Sequence, residues 1–281
     1  MAIYFLQYFL IFFFSLLNSL KTKSKWIGIV IFLILFSIAA FRGIGIDRDN
    51  ANYYKIFSKL VTGEYFSRNS YMYFEPAFYY IPAFFKSFFS HHFVEMSFVL
   101  YAFLGVFFKL RSFSISNSYF LSCLLYISSW YVLHEMTQIR AGVAVGILSC
   151  SIPYIYERRL IKFLLCVIAA GFFHYSSLIF IFAYLINPVT FSKSLNTIGI
   201  ILGMIIAFLK IDFLYLLNSI VDIPKLNDYK LQMAKGLYSE INVFNVLFIM
   251  NAIIAFLLIA HIDKLVSKNK YAIILTKLYV I

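Results

Sequence analysis

Residues 141–186 read AGVAVGILSCSIPYIYERRLIKFLLCVIAAGFFHYSSLIFIFAYLI. Three apolar runs, Ala141–Tyr156, Leu160–Phe173 and Ser176–Ile186, follow one another with only Glu157-Arg158-Arg159 and His174-Tyr175 between them. Runs like these, with so little polar text between them, suit helices that cross a bilayer and turn straight back, since a span takes about 20 mostly apolar residues. The pattern recurs at Ile3–Leu20, Trp26–Phe41, Phe93–Leu110, Tyr119–Leu133, Leu195–Leu209 and Val243–Ala260, and again from Tyr271 to Ile281. Glu75–Phe89 is also apolar, but Pro76, Pro82 and Lys86 leave it open between a span and a re-entrant segment. The expected fold is a single all-α transmembrane domain over residues 1–281, a polytopic integral membrane helix bundle. It should hold about 10–11 transmembrane or re-entrant helices, with outer loops at residues 42–74 and 211–242.

Composition agrees. Of 281 residues, 63% are hydrophobic, 21% aromatic and 13% charged, whereas a soluble domain carries about 25% charged residues. So little charge excludes a soluble globular enzyme and a disordered chain. The 34 Phe and 22 Tyr suit lipid contact and belts at the headgroup level. The formal charge of +12 comes with no basic arm and no platform for stacking bases, so the expected partner is the lipid bilayer and not nucleic acid. Cys123, Cys150 and Cys166 lie in apolar runs at no metal or redox spacing and read as packing residues. Residues 1–20 carry no Lys or Arg, so the first run is expected to stay as a helix and not to be cleaved as a signal peptide.

The basic residues orient the bundle. With the Lys21–Lys25 turn in the cytoplasm, the cytoplasmic turns hold twelve basic residues, Lys109 among them, against two acids. The outer loops then hold ten basic residues against nine acids, Glu135 among them. Short, almost purely basic turns belong inside.

Any chemistry has to come from the outer loops and helix mouths. The densest polar text is Phe41–Phe57, FRGIGIDRDNANYYKIF. Arg42 sits at the membrane boundary, Asp47 and Asp49 follow, and Asn52-Tyr53 opens an amphipathic stretch for which Asp49 or Asn50 is the expected N-cap. An arginine and two acids around a Gly-x-Gly turn exceed what a water boundary needs, the plainer account being an interfacial loop. Asp47-Arg48-Asp49 also spells D-x-D, the carboxylate pair with which many glycosyltransferases hold a divalent metal. The string is short and no soluble nucleotide-sugar domain accompanies it, so no metal site is expected.

A second cluster, His134–Arg140 (HEMTQIR), contains His-Glu but not H-E-x-x-H, which excludes the zinc-protease reading. Gln138 and Arg140 fall where two spans meet the outer face. A guanidinium there suits a two-point grip on phosphate oxygens, or simply reaches to lipid headgroups. His174 occupies a short turn between two spans, as a proton acceptor near neutral pH or as a polar turn residue. His91, His92 and Glu95 look metal-like, but adjacent histidines point to different sides of a helix. Gly142 to Gly146 and Gly199 to Gly203 are G-x-x-x-G spacings that read as helix packing.

Taken in order, Arg42–Tyr53, Glu75-Pro76-Ala77-Phe78, Ile139–Ala144 (IRAGVA) and Phe173–Phe180 (FHYSSLIF) resemble the EpsG family of bacterial polysaccharide-synthesis membrane proteins. Through it they resemble the Wzy polymerases of O-antigen and capsule. The resemblance implies a multi-pass protein of the bacterial inner (cytoplasmic) membrane, with its active site toward the periplasm or outside. It would be a glycosyltransferase that polymerises oligosaccharide repeat units carried on undecaprenyl diphosphate, making O-antigen, capsule or exopolysaccharide. The donor already carries a diphosphate leaving group, so no nucleotide, metal or other cofactor is implied. Flippase and chain-length regulator proteins are the implied partners. On this reading Arg42 and Arg140 bind the diphosphate with Gln138 assisting, and Asn52 and Tyr53 line the glycan. Asp47, Glu75 and His174 are the candidate bases, Asp47 preferred for the density of its motif. Relatives generally continue through further helices, so the break at Ile281 reads as a chain cut short.

Other readings stand beside this one. A GT-C type membrane glycosyltransferase also places acids in its first large outer loop, though it usually carries a sizeable outer domain. A lipid-linked sugar transporter or flippase would show repeated halves and interrupted helices, and neither is evident. The last is a non-catalytic component of a polysaccharide complex.

Overall fold

The computed structural model describes residues 25–47, 49–62, 74–209 and 245–280, with positions 5, 6, 9, 10, 12, 13, 16, 227 and 231. The rest of the Ile3–Leu20 run, residues 63–73 of the first outer loop and nearly all of the 211–242 loop lie outside the described residues. The chain divides into two compact units, residues 1–186 and 187–281. Among the described residues all regular structure is helical.

The first unit contains α1 (Lys25–Ala40), α2 (Asn50–Thr62), α3 (Pro76–Phe88), α4 (Phe93–Ser112) and α5 (Tyr119–Ser129). A π-helical turn at Leu133–Thr137 leads into α6 (Ile139–Tyr156), followed by α7 (Leu160–Phe173) and a 3-10 helix at Tyr175–Leu185. The second unit contains α8 (Lys193–Phe208), α9 (Val246–Ala260), the short α10 (Ile262–Val266) and α11 (Ala272–Val280). Among the described residues two helices are long and apolar enough to cross a membrane alone, Phe93–Ile115 (α4 with its 3-10 extension) and α6. The surface decides what surrounds them. Helix α7 buries Phe163, Val167, Ala170 and Gly171, while Ile161, Leu165, Ile168 and Phe172 are more than half exposed. Large apolar side chains on both faces of a helix fit hydrocarbon surroundings and not water. The fold is an all-α membrane bundle.

Helices α4 and α6 run side by side and parallel at its centre, because glycines let their backbones close up. A Cβ on Gly146 would stand 2.9 Å from Phe108 Cβ and 3.6 Å from the Gly105 carbonyl oxygen. Cys150 Sγ donates to the Phe108 carbonyl at 3.3 Å one turn further on. Gly142 is closer still, its Cβ position lying 2.3 Å from the His134 carbonyl oxygen. The expected packing role of Gly142 and Gly146 is met. For Gly199 and Gly203, among the described residues nothing lies within 4 Å of either Cβ position.

Two apolar runs fold differently from the sequence expectation, and a third is left open by it. Tyr119–Leu133 is not one span, because α5 stops at Ser129, the chain turns at Trp130, and it is helical again from Tyr131 into the π-helical turn. Ser176–Ile186 is a 3-10 helix, which rises about 2 Å per residue where an α-helix rises about 1.5 Å. The stretching lets a short apolar run reach further. Its end is held by Arg158, which adopts a left-handed conformation (φ 55°) and donates to the carbonyls of Tyr184 at 2.6 Å and Ile186 at 2.8 Å. Glu75–Phe89 becomes α3, whose 13 residues reach roughly 20 Å against a hydrocarbon core of about 30 Å.

The charge sorting also needs one correction. Lys109 and Glu135, assigned to opposite sides, meet inside the bundle with Nζ 2.9 Å from Oε1. Hydropathy assigns a charge to the nearer end of its run, but both side chains are long enough to reach inward and pair.

Candidate functional site

Four separate segments converge at the N-terminal end of α6. Glu75 directly precedes Pro76, which occupies the first turn of α3 where a missing N–H costs nothing. The Glu75 backbone is extended, its carbonyl accepts the Phe78 N–H at 2.9 Å, and its side chain turns into the bundle. There Oε2 is ion-paired with Arg140 Nη1, and Oε1 lies 3.0 Å from His174 Nδ1. Arg140 comes from the first turn of α6, its guanidinium 4.7 Å above the Phe78 ring and within electrostatic reach of the Tyr53 side chain of α2. His174 ends α7, its N–H bonded to the Ala170 carbonyl at 2.9 Å. Gly171 lets Leu178 of the following 3-10 helix pack closely there, its Cβ position lying 2.5 Å from Leu178 Cδ2. Tyr175 ties the turn to the chain before Glu75 by donating to the Phe74 carbonyl at 3.3 Å.

Exposure divides the labour. The Glu75 side chain is 2% exposed, whereas those of Arg140 and His174 are 21% and 32% exposed. The carboxylate is sealed and its two partners face outward. Burial pushes the Glu75 pKa up, but the hydrogen bond from His174 and the charge of Arg140 outweigh it and hold the group at about 2. Glu75 is therefore anionic in the neutral range. It accepts from His174 Nδ1–H, which leaves Nε2 as the accepting nitrogen of the neutral ring.

Arg42 and Asp47 form a second ion pair at 3.0 Å, with side chains only 2% and 4% exposed. Arg42 Nη1 donates to the Ala39 carbonyl at 2.6 Å and the Glu135 carbonyl at 3.2 Å, and Nη2 to the Met136 carbonyl at 3.1 Å. Its guanidinium lies 4.9 Å above the Phe98 ring. Asp47 Oδ1 accepts the N–H groups of Asp49 at 3.1 Å and Asn50 at 2.8 Å, so Asp47 supplies the cap expected from Asp49 or Asn50. Arg42 thus offers no face for a direct grip on a diphosphate, and both Asp47 oxygens are engaged. The residues with the densest motif pin the π-helical turn to α1 and start α2.

Asn52 and Gln138 are exposed, and among the described residues no hydrogen bond joins either to the Glu75–Arg140–His174 triad. Tyr53 is buried and joins it through Arg140.

Sequence reasoning passed over one cluster. Glu135 Oε1 accepts from Lys109 Nζ at 2.9 Å and from the Tyr126 hydroxyl at 2.7 Å. A Cβ on Gly105 would lie 1.8 Å from Glu135 Oε2, so the glycine makes the room that the carboxylate fills. Gly105 and Lys109 stand four residues apart on one helix face, a gap and a cation together, which is the available sequence signal. Through Glu135 this cluster holds the π-helical turn from below, while Arg42 holds its carbonyls from above.

A charged triad at one end of an apolar helix bundle marks a membrane protein with a polar helix mouth. The chain belongs to the EpsG family, whose family model matches residues 25–281. No curated protein and no solved structure matches the chain. Family membership makes this a membrane protein of polysaccharide biosynthesis.

Proposed function

We propose that the protein polymerises lipid-linked oligosaccharide repeat units during bacterial surface polysaccharide synthesis. The observation that carries this reading is the meeting of Glu75, Arg140 and His174, from three distant segments, at the mouth of α6. The donor is a glycan on undecaprenyl diphosphate and the acceptor a sugar hydroxyl of the next lipid-linked unit. The acceptor oxygen bonds to the anomeric carbon, the bond from that carbon to the diphosphate breaks, and the diphosphate departs with both electrons.

Arg140 carries the fixed charge that stabilises the departing diphosphate, since a preset cation at a developing anion lowers the barrier without reorganisation. His174 Nε2 takes the hydroxyl proton, and Glu75, bonded to Nδ1, fixes the orientation and tautomer of the ring. Tyr53 holds Arg140 from the side of α2. Arg42 and Asp47 support the site as positioning residues, and His174 replaces Asp47 as the preferred base. Asn52 and Gln138, both exposed, are left to contact the glycan or headgroup. The donor brings its own leaving group, so the reaction needs neither nucleotide nor metal.

The site lies on the outer face of the inner membrane in this reading, with flippase and chain-length regulator as partners. The test is the glycan ladder of a strain lacking its own copy. Complementation with the chain should restore polymer of many lengths, and a product of one repeat unit despite folded protein would refute polymerisation.

A further inference from the structure

Tyr101 stands in the middle of α4, 1% exposed, and among the described residues its buried hydroxyl has no hydrogen-bond partner. The ring cannot easily turn away. It is stacked on Phe57 of α2 at 6.3 Å between centroids, and Phe173, the residue before His174, meets it edge-on at 5.9 Å. The hydroxyl lies within electrostatic reach of Arg140, Glu75 and Tyr53, so it shares its surroundings with the triad. A buried hydroxyl without a partner destabilises a fold, whereas phenylalanine would fill the same space at no such cost. A donor kept under those terms, beside an arginine with one partly exposed face, is placed to serve a ligand.

We infer that the Tyr101 hydroxyl is a further binding group of this site, donating to an oxygen of the anionic diphosphate that Arg140 draws in. The inference rests on the diphosphate reading of the site given above. A diphosphate brings several acceptor oxygens to one place, so a group at Arg140 can engage a second donor nearby. Tyr101 is neutral and donates a proton without losing it, so it adds a directional contact where Arg140 adds charge. The bond exists only with ligand present, and this sets the signs of the two effects below.

The test compares the full-length wild type with Tyr101→Phe in lipid nanodiscs, measuring undecaprenyl diphosphate binding and the thermal unfolding midpoint without ligand. The expected result is binding weakened about 10- to 100-fold, as for loss of a hydrogen bond to a charged group, with a midpoint unchanged or raised. Undecaprenyl monophosphate should bind more weakly to the wild type and lose less on substitution. Equal diphosphate affinity in the two proteins would overturn the inference and leave the polymerase reading standing, as a hydroxyl satisfied by trapped water would predict. A lowered midpoint would also overturn it, because a hydroxyl that supports the fold is not waiting for a ligand. No diphosphate binding by the wild type would overturn this inference together with the reading beneath it.

Discussion

Arg42 and Arg140 invite the same description. Each stands at a helix end, each is ion-paired with one carboxylate, and each lies above a phenylalanine ring, at 4.9 and 4.7 Å. They differ in what else they hold. Arg42 donates to three backbone carbonyls and its side chain is 2% exposed, whereas that of Arg140 is 21% exposed and its partners are side chains. An arginine engaged with backbone carbonyls fixes the chain, and one engaged with side chains can exchange them for a ligand. Residue type and local setting do not separate the two roles. The count of committed N–H groups does.

The largest expected effect breaks this comparison on the side of chemistry. Arg140→Ala should lower polymer formation by about 10³-fold, the scale of losing a preset charge-stabilising donor. Folded protein should persist, since Glu75 keeps His174. Arg140→Lys should not restore activity, because an ammonium cannot reproduce a planar two-point grip. If lysine restored a full ladder, charge alone would suffice and the bidentate account would be wrong.

The next effect lies on the side of structure. Arg42→Ala strands Asp47 and three carbonyls, a loss of about 3 kcal/mol or more by analogy with broken buried pairs. It should appear as a lower unfolding midpoint and a lower yield of membrane protein, with polymer falling in proportion. A variant of normal stability and yield that made no polymer would place Arg42 in the chemistry after all.

Glu75 sharpens the comparison through pH. Its folded pKa of about 2 lies below its ordinary 4.5, so the stabilisation it provides is complete above pH 4.5 and is lost as pH falls through about 2. That shift corresponds to on the order of 3 kcal/mol. Thermal unfolding of the wild type followed from pH 5 downward should show this loss, and Glu75→Gln should be flatter over the same range. Matching pH profiles for the two proteins would mean that the ion pair adds no stability.

The smallest effects concern glycines of the same spacing. Gly146→Ala should destabilise, because its Cβ would press on Phe108 at 2.9 Å. Gly199→Ala, with nothing within 4 Å among the described residues, should shift stability by less than about 0.5 kcal/mol. Comparable losses at both would show that Gly199 packs against something too.

Much of this was legible in the sequence, and for identifiable reasons. The apolar runs announce helices because a continuous apolar run that crosses a bilayer satisfies its own backbone groups as a helix, whereas a barrel strand would alternate. Glu75, Arg140 and His174 could be picked out because each is a charged or titratable group at the edge of an apolar run. Their union could not, since Glu75 lies 65 residues from Arg140 and 99 from His174, and nothing local records the meeting. Arg42 and Asp47 misled for the opposite reason. A dense polar motif looks alike whether its groups cap a helix or handle a substrate, and only the hydrogen-bond partners tell them apart. The π-helical turn was also hidden, since the Glu135–Lys109 pair within it joins residues that hydropathy places on different sides of the membrane.

The proposed function requires the exposed triad member Arg140, and not the sealed Arg42, to act on the lipid-linked substrate. The most direct measurement is the glycan ladder in a strain without its own copy, complemented with Arg140→Ala at a membrane level matched to wild type. The account predicts a product of one repeat unit where the wild type gives a ladder. A full ladder from Arg140→Ala would contradict it.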